Sequence, residues 1–438
     1  MLLGSGSSAL SGLSAPHLCA LGFFCRCEVL EKFPEIFNPS SAELAHDPSL
    51  RGAMAGQEDA SRAWQGPRGQ QARIRITRLA SHVAPDDPIP QTRESSPSGT
   101  SSTASDTGKE NTAGRRKPRV VVVGGSVLDV HLTRDGAVVG STVPGRVRFQ
   151  HGGVGRNIAE CLGRLRERPL FVSVVGEDAA GREILNALRS AGVDTRGIKV
   201  CPGRTTPVVA CTFDGSGGLV SGVADTALVE SELDGAWVSG FRRDIERAEV
   251  LVLEANLSPE ALASCFEIAY HAGVPVFFEP VSVTKSARAA PFLQRIAYLS
   301  PNEAELGAIA AASGRSRPLG GGLTEDAALL RSLGVKNVLV TRGSHGVLIA
   351  RGDGTCQHLP SLGVRVANVN GAGDCLVAGV IRALVGAGNG SLEYAVSYGI
   401  AVACEAIQTA GNVPDLVSEE GIEASALQVF SRRREIAT

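Results

Sequence analysis

The sequence predicts an α/β protein: a mostly parallel central sheet with helices on both faces, a small β-sheet standing off it as a lid, and a disordered N-terminal extension. Three observations carry that reading. From Arg119 onward, short β-branched runs alternate with helical stretches, the signature of parallel βαβ units. Two segments, Ala137 to Gln150 and Pro207 to Val223, break the rhythm with polar alternation and turn residues. Before Pro118 the chain is rich in Ser, Thr, Pro and Gly, with too little apolar surface to offset the entropy of ordering. The expected division is 1–118 as extension and 119–438 as one domain.

The first strand is Val120-Val121-Val122-Val123, stopped by Gly124-Gly125. A run without polar alternation fits a strand buried on both faces. Equivalent runs lie at Leu170 to Val175, Val250 to Leu253, Val274 to Phe278 and Val338 to Val340. Helices are predicted between strands, at Asn157 to Arg164 and at Ala180 to Ala191, the latter stopped by Gly192. Asp214-Gly215 and Gly217-Gly218 place turns in the second lid segment. No internal repeat recurs at a fixed period.

Bulk properties exclude several partner classes. A formal net charge of −2 gives no basic surface for nucleic-acid phosphates. No apolar run reaches the roughly 20 residues of a membrane span. The ten cysteines are scattered, so reduced, buried thiols are expected rather than a disulfide framework. Cys25 and Cys27 lack a second Cys/His pair at zinc-site spacing. The first residues lack a basic n-region, so no secretory signal is expected.

Two glycine turns carry the chemistry. In Asn368-Val-Asn-Gly-Ala-Gly-Asp-Cys-Leu-Val-Ala-Gly379 a polar turn runs into an amphipathic helix. Gly371, Ala372 and Gly373 have almost no side chain, so their N–H groups can approach an anion at the helix N-terminus. Asp374 would repel that anion unless it serves as the general base that takes a proton from an attacking hydroxyl; the plain alternative is a helix cap. The second turn is His151-Gly-Gly-Val-Gly-Arg-Asn-Ile-Ala159, which fails as a dinucleotide fingerprint because Ile158 stands where Gly or Ala is needed. It can bring Gly153 and Asn157 against a polyhydroxylated ligand. Asp129, just past the first strand, is placed at the C-terminal edge of the sheet, where a carboxylate suits adjacent sugar hydroxyls; it could equally be a turn former.

Residues 119–416, through both turns in this order, resemble the PfkB carbohydrate and nucleoside kinases. The resemblance implies a ribokinase-like three-layer fold with a β-lid, ATP as phosphoryl donor and Mg2+ on its phosphates. It places Asp374 on the catalytic base and Gly371, Ala372 and Gly373 on the anion hole. Asn302 and Glu305 fall on an Asn-x-x-Glu motif that organises Mg2+ through water and phosphate, although a Pro-Asn-Glu turn could also be a helix cap. Thr341, Gly343 and Gly346 match a turn that handles nucleotide phosphates. No Gly-x4-Gly-Lys-Ser/Thr loop and no His-Arg-Asp or Asp-Phe-Gly occurs, which excludes P-loop and protein-kinase readings.

Within that family, His151 to Cys161, Phe278 to Lys285 and Asn368 to Cys375 resemble the pseudouridine kinases, especially those of plants. The expected reaction is phosphorylation of the 5′-hydroxyl of pseudouridine, with Asp129, Gly153 and Asn157 on the ribose. Another ribonucleoside or sugar, and a catalytically silent nucleoside binder, stay as alternatives. Most sugar kinases of the family have Asp at the positions of Glu279 and Asn368. A neutral Asn368 weakens a monovalent-cation site beside the anion hole and leaves that cation open. A homodimer through the lid is also compatible with the resemblance. Arg75-Ile-Thr-Arg-Leu-Ala-Ser-His82-Val83 resembles a type-2 peroxisomal signal, with the cytoplasm as the other location.

Overall fold

Four consecutive valines fix the centre of the fold. Strand β1 (Val120–Val123) is buried along its whole length, with Val120 and Val122 packed into one apolar core and Val121 and Val123 into another. The chain is described from a computed structural model over residues 118–134, 136, 141–315, 322–386, 390–415 and 418–436. The extension before Pro118, including the Arg75–His82 segment, lies outside the described residues.

After β1 come β2 (Val127–Arg134), β3 (Gly145–Gly152), β4 (Leu170–Gly176), β5 (Ile198–Cys201), β6 (Val208–Phe213) and β7 (Leu219–Asp225). Then come β8 (Val250–Glu254), β9 (Val276–Glu279), β10 (Ile296–Leu299), β11 (Asn337–Thr341), β12 (Val347–Arg351), β13 (Cys356–Leu359) and β14 (Arg434–Ile436). The main sheet has ten strands in the order β14-β13-β12-β11-β10-β9-β8-β1-β4-β5. From β11 to β5 every pairing is parallel, whereas β11 to β14 pair antiparallel. One face carries helices Val154–Arg164, Ala179–Ser190, Ala372–Gly386, Leu392–Ala406 and Glu419–Ser431; the other carries Pro259–Ala272, Glu303–Ala312 and Leu323–Ser332. This is the expected three-layer arrangement. The antiparallel edge is consistent with the mostly parallel sheet expected, and arises because Val347 to Ala350 comes after a tight glycine turn rather than a crossover helix.

Strand β1 is the topological switch point: the chain proceeds outward to β4 on one side and to β8 on the other. Open α/β sheets bind ligands at the carboxyl end of such a point, here Gly124 to Ser126. The lid is a separate four-stranded sheet, β3-β2-β6-β7. Its membership corrects the sequence reading in one respect. Val127–Arg134, outside the two segments expected to form the lid, is a lid strand pairing with both β3 and β6. Asp129 therefore projects from a lid strand and not from a turn. The β6–β7 hairpin closes as expected, with the Asp214 carboxylate accepting from the N–H groups of Ser216 (2.9 Å) and Gly218 (2.8 Å).

Candidate active site

Between the carboxyl end of β1 and the inner face of the lid lies a cavity of about 500 Å³, whose walls include Asp129, Gly153, Asn157, Gly371, Asp374 and Asn412. Each glycine turn delivers one helix N-terminus to it. Gly153 precedes helix Val154–Arg164 with φ 94°, and a Cβ there would stand 2.5 Å from the carbonyl oxygen of Gly125. Gly371 has φ 76°, and its Cβ would stand 2.1 Å from the carbonyl oxygen of Asn412. Only glycine takes both the left-handed backbone and the close approach. The first N–H groups of helix Ala372–Gly386 have no intrahelical acceptor, and Asp374 sits among them, 7% exposed.

The polar groups interlock. Asn157 donates through Nδ2 to Asp374 Oδ2 at 2.8 Å, which joins the two turns. Asn157 thus contacts the proposed base directly, in addition to facing the cavity where its sugar role was expected. Asn412 donates through Nδ2 to the carbonyl of His151 (3.0 Å) and to Asp129 Oδ2 (3.4 Å). Burial pushes the Asp129 carboxyl up to about 6, against the opposing pull of the Arg156 charge and the Asn412 amide. Asn368 bends the approach to Gly371: its Oδ1 accepts from the Asn370 N–H (3.0 Å), and its Nδ2 faces the carbonyls of Ala410 and Gly411, both at 3.3 Å.

A second, water-sized cleft of about 10 Å³ is lined by Glu279, Ser300, Asn302, Glu305, Thr341, Gly373 and Val377. Asn302 and Glu305 form a reciprocal capping box on helix Glu303–Ala312, each side chain accepting from the other's backbone N–H at 2.8 and 2.9 Å. The helix-cap alternative is therefore present. Glu279 is held by the Ser300 hydroxyl at 2.6 Å. Thr341 ends β11 in the same cleft, while Gly343 (φ 54°) and Gly346 (φ 83°) shape the turn beyond it and line neither cavity. The Gly371–Asp374 turn stands between the two spaces, with Gly373 on the oxygen-lined cleft and Gly371 and Asp374 on the large cavity.

Several groups escaped the sequence reading. Asn412 lies in a loop without a recognisable pattern. Glu254, at the end of β8, is buried, accepts from the Gly125 N–H (2.8 Å) and holds the side chain of Asn256 (2.5 Å). Asn256 Oδ1 in turn accepts from Lys285 Nζ at 2.7 Å, and both line the large cavity. Val281, with φ 69°, is a β-branched residue in the left-handed region, a strained position that leads into the segment bearing Lys285.

With this geometry in place, the comparisons with known proteins define the class. Residues 117–418 match the pfkB family carbohydrate kinase model, and the chain belongs to that family, so it is a phosphotransferase. A pseudouridine kinase of Arabidopsis thaliana is 31% identical over 71% of this chain and 96% of the relative. A pseudouridine kinase of Escherichia coli K12 is 30% identical over 69% of this chain and 95% of its own length. The solved ribokinase of Arabidopsis thaliana, complexed with ribose and ATP, superimposes with a TM-score of 0.59 at 23% identity, covering 72% of this chain and 99% of that one. That likeness shows the ribokinase-like fold.

Proposed function

We propose that the protein transfers the γ-phosphoryl group of ATP to the 5′-hydroxyl of pseudouridine. The observation that carries the chemistry is the position of the Gly371–Asp374 turn, shared between a nucleoside-sized cavity and a cleft lined by hard oxygens. Asp129 and Asn412 would hold the ribose hydroxyls, with Gly153 and Asn157 closing that end. Asp374 would accept the 5′-hydroxyl proton as the oxygen forms its bond to the γ-phosphorus and the bond to the β-phosphate oxygen breaks, releasing ADP. The N–H groups at Gly371 to Gly373 would stabilise charge on the transferring phosphoryl.

The oxygens of Glu279, Ser300, Asn302, Glu305 and Thr341 are a donor set suited to Mg2+, which dehydrates reluctantly and binds through few carboxylates, water and phosphate. Among the described residues no group of three His, Cys, Asp or Glu side chains could hold a metal by itself, so the residues fit a cation that arrives with the nucleotide. When bound, Mg2+ supplies charge neutralisation on the phosphates.

The two pseudouridine kinase relatives support the choice of nucleoside. The wall of the large cavity carries the Lys285 ammonium, a donor suited to a carbonyl oxygen of a pyrimidine. Product formation from pseudouridine, uridine and ribose at equal concentration tests this reading. A site built on a hydrogen bond to the free N1–H of pseudouridine rejects uridine by roughly 10⁴-fold; comparable kcat/KM for uridine, or a preference for ribose, refutes the substrate and leaves the kinase.

Two further expectations stand as proposals. On the outer face of the lid Val147, Phe149 and Val223 are exposed and share one side of the sheet by register. A second copy offers the same patch in return, as a two-fold contact requires, so Phe149→Asp should convert a dimer to a monomer in sedimentation. A wild-type monomer sinks the idea. The Arg75–His82 segment is proposed to direct peroxisomal import; a fluorescent fusion whose distribution ignores His82→Ala argues for the cytoplasm.

A further inference from the structure

Helix Val154–Arg164 buries a charged pair in its middle. Arg156 is 4% exposed and Glu160 is 3% exposed. Charges removed from water are costly unless paired and hydrogen-bonded, and apolar side chains can often replace such a pair without loss of stability. Its presence directly behind the reacting groups calls for another reason.

The guanidinium of Arg156 has three engagements. Nη2 is ion-paired with Glu160. Nη1 donates to the carbonyl of His151 at 2.8 Å and to Asn157 Oδ1 at 2.5 Å. Because Asn157 Oδ1 is occupied by this donor, its amide nitrogen must face the other way, where it meets Asp374 Oδ2 at 2.8 Å. Behind the pair, Glu160 Oε1 accepts from Arg164 Nε (3.0 Å) and Nη2 (2.6 Å), and Arg164 Nη1 donates to the carbonyl of Asp415 at 2.6 Å. A chain of alternating charge thus runs from the surface to the proposed base: Arg164, Glu160, Arg156, Asn157, Asp374.

Arg164 is the other cation acting on Arg156, and it is itself paired with Glu160. Burial, and then Arg156 itself, lower the His151 imidazole below its ordinary value. The Cys375 thiol is pushed well above its usual range, first by a hydrogen bond with Cys161. Besides its ion-pair partner Glu160, Asp129 on the lid strand and Asp374 on the helix start interact with the guanidinium.

We propose that Arg156 is a positioning residue for phosphoryl transfer, which orients the Asn157 amide toward Asp374 and places a buried positive charge behind that contact. This rests on the reading of Asp374 as general base.

The test uses three variants of the full chain, each with a thermal melt and a pH profile of kcat. Asp374→Asn is the reference. The double variant Arg156→Met with Glu160→Gln removes the pair together, so that no lone charge is left buried. It should fold, lose about 10²-fold in kcat through a misplaced base, and move the acid limb of its profile upward, since a lost cation raises a neighbouring carboxylate. KM for ATP should not change. Arg156→Lys keeps the charge without the planar fork; its acid limb should stay in place while kcat falls about tenfold. A folded double variant with wild-type kcat and acid limb overturns the proposal, and so does wild-type kcat in Arg156→Lys, which decides the matter should the double variant not fold. Loss of activity in Asp374→Asn with retention in the double variant refutes the relay alone. Retained activity in Asp374→Asn refutes the base reading beneath it.

Discussion

The two glycine-led helix starts open on one cavity, yet they are built for different tasks. At Gly153 the glycine lets a helix press against the end of β1, with the Gly125 carbonyl in the space a Cβ would need. The polar residues next along that helix, Arg156 and Asn157, are buried, and hold other side chains in place. At Gly371 the glycine presses against the Asn412 loop instead, and Ala372 and Gly373 extend it as a wall of backbone ending in Asp374. On the proposed reading, one start organises and the other reacts. The glycines alone say only that a helix N-terminus meets a ligand, and the polar residue one turn later decides its task.

The sharpest way to break this contrast is at the reacting turn. Asp374→Asn should lose about 10²- to 10⁴-fold in kcat with nucleoside binding retained, read by steady-state kinetics and calorimetry. Turnover within about threefold of wild type, below any general-base contribution, would return Asp374 to the role of a helix cap.

At the organising end the effect should fall on binding. Asp129→Ala should cost about 1.5–3 kcal/mol of nucleoside affinity and leave ATP affinity unchanged. Asp129 also carries a pH signature. Its carboxyl is pushed up to about 6 by burial, so it is charged above that value and protonated below it. A neutral carboxyl accepts hydrogen bonds from sugar hydroxyls less well, so nucleoside KM should rise as pH falls through about 6. In Asp129→Ala that dependence should vanish. An acid limb in KM that survives the substitution assigns the titration elsewhere.

The contrast also explains what could be read from sequence. Strands β1, β4, β8 and β11 are buried on both faces, so their apolar runs stand out. Strand β2 does not, because Asp129 and His131 interrupt it to face the cavity; the demands of the ligand overwrite the pattern. Asp374 stands out in the sequence because an acid beside a glycine turn at a helix N-terminus is electrostatically odd if an anion binds there. Arg156 carries no such local signal, and only the packing of helix Ala372–Gly386 against its own helix reveals that it is inside. The signal available was the opposite charge of Glu160 one turn on. Asn412 and the Glu254–Asn256–Lys285 chain are brought together by tertiary contacts from separate loops, for which no local spacing exists.

The smallest effect should come from the flank of the reacting turn, at Asn368. Its amide nitrogen faces two carbonyls, those of Ala410 and Gly411, each at 3.3 Å, and the same loop carries the Asn412 carbonyl against Gly371. A neutral donor thereby joins the turn to the loop, so replacing potassium with a large organic cation should leave wild-type kcat almost unchanged. Asn368→Asp removes that donor and points a carboxylate at the same carbonyls, an all-oxygen cluster that repels itself unless a cation enters. Activity of this variant should therefore become dependent on potassium, falling a few-fold in its absence, roughly the worth of one neutral hydrogen bond. Strong potassium dependence in the wild type, or none in Asn368→Asp, would show that this amide does not take the place of a cation.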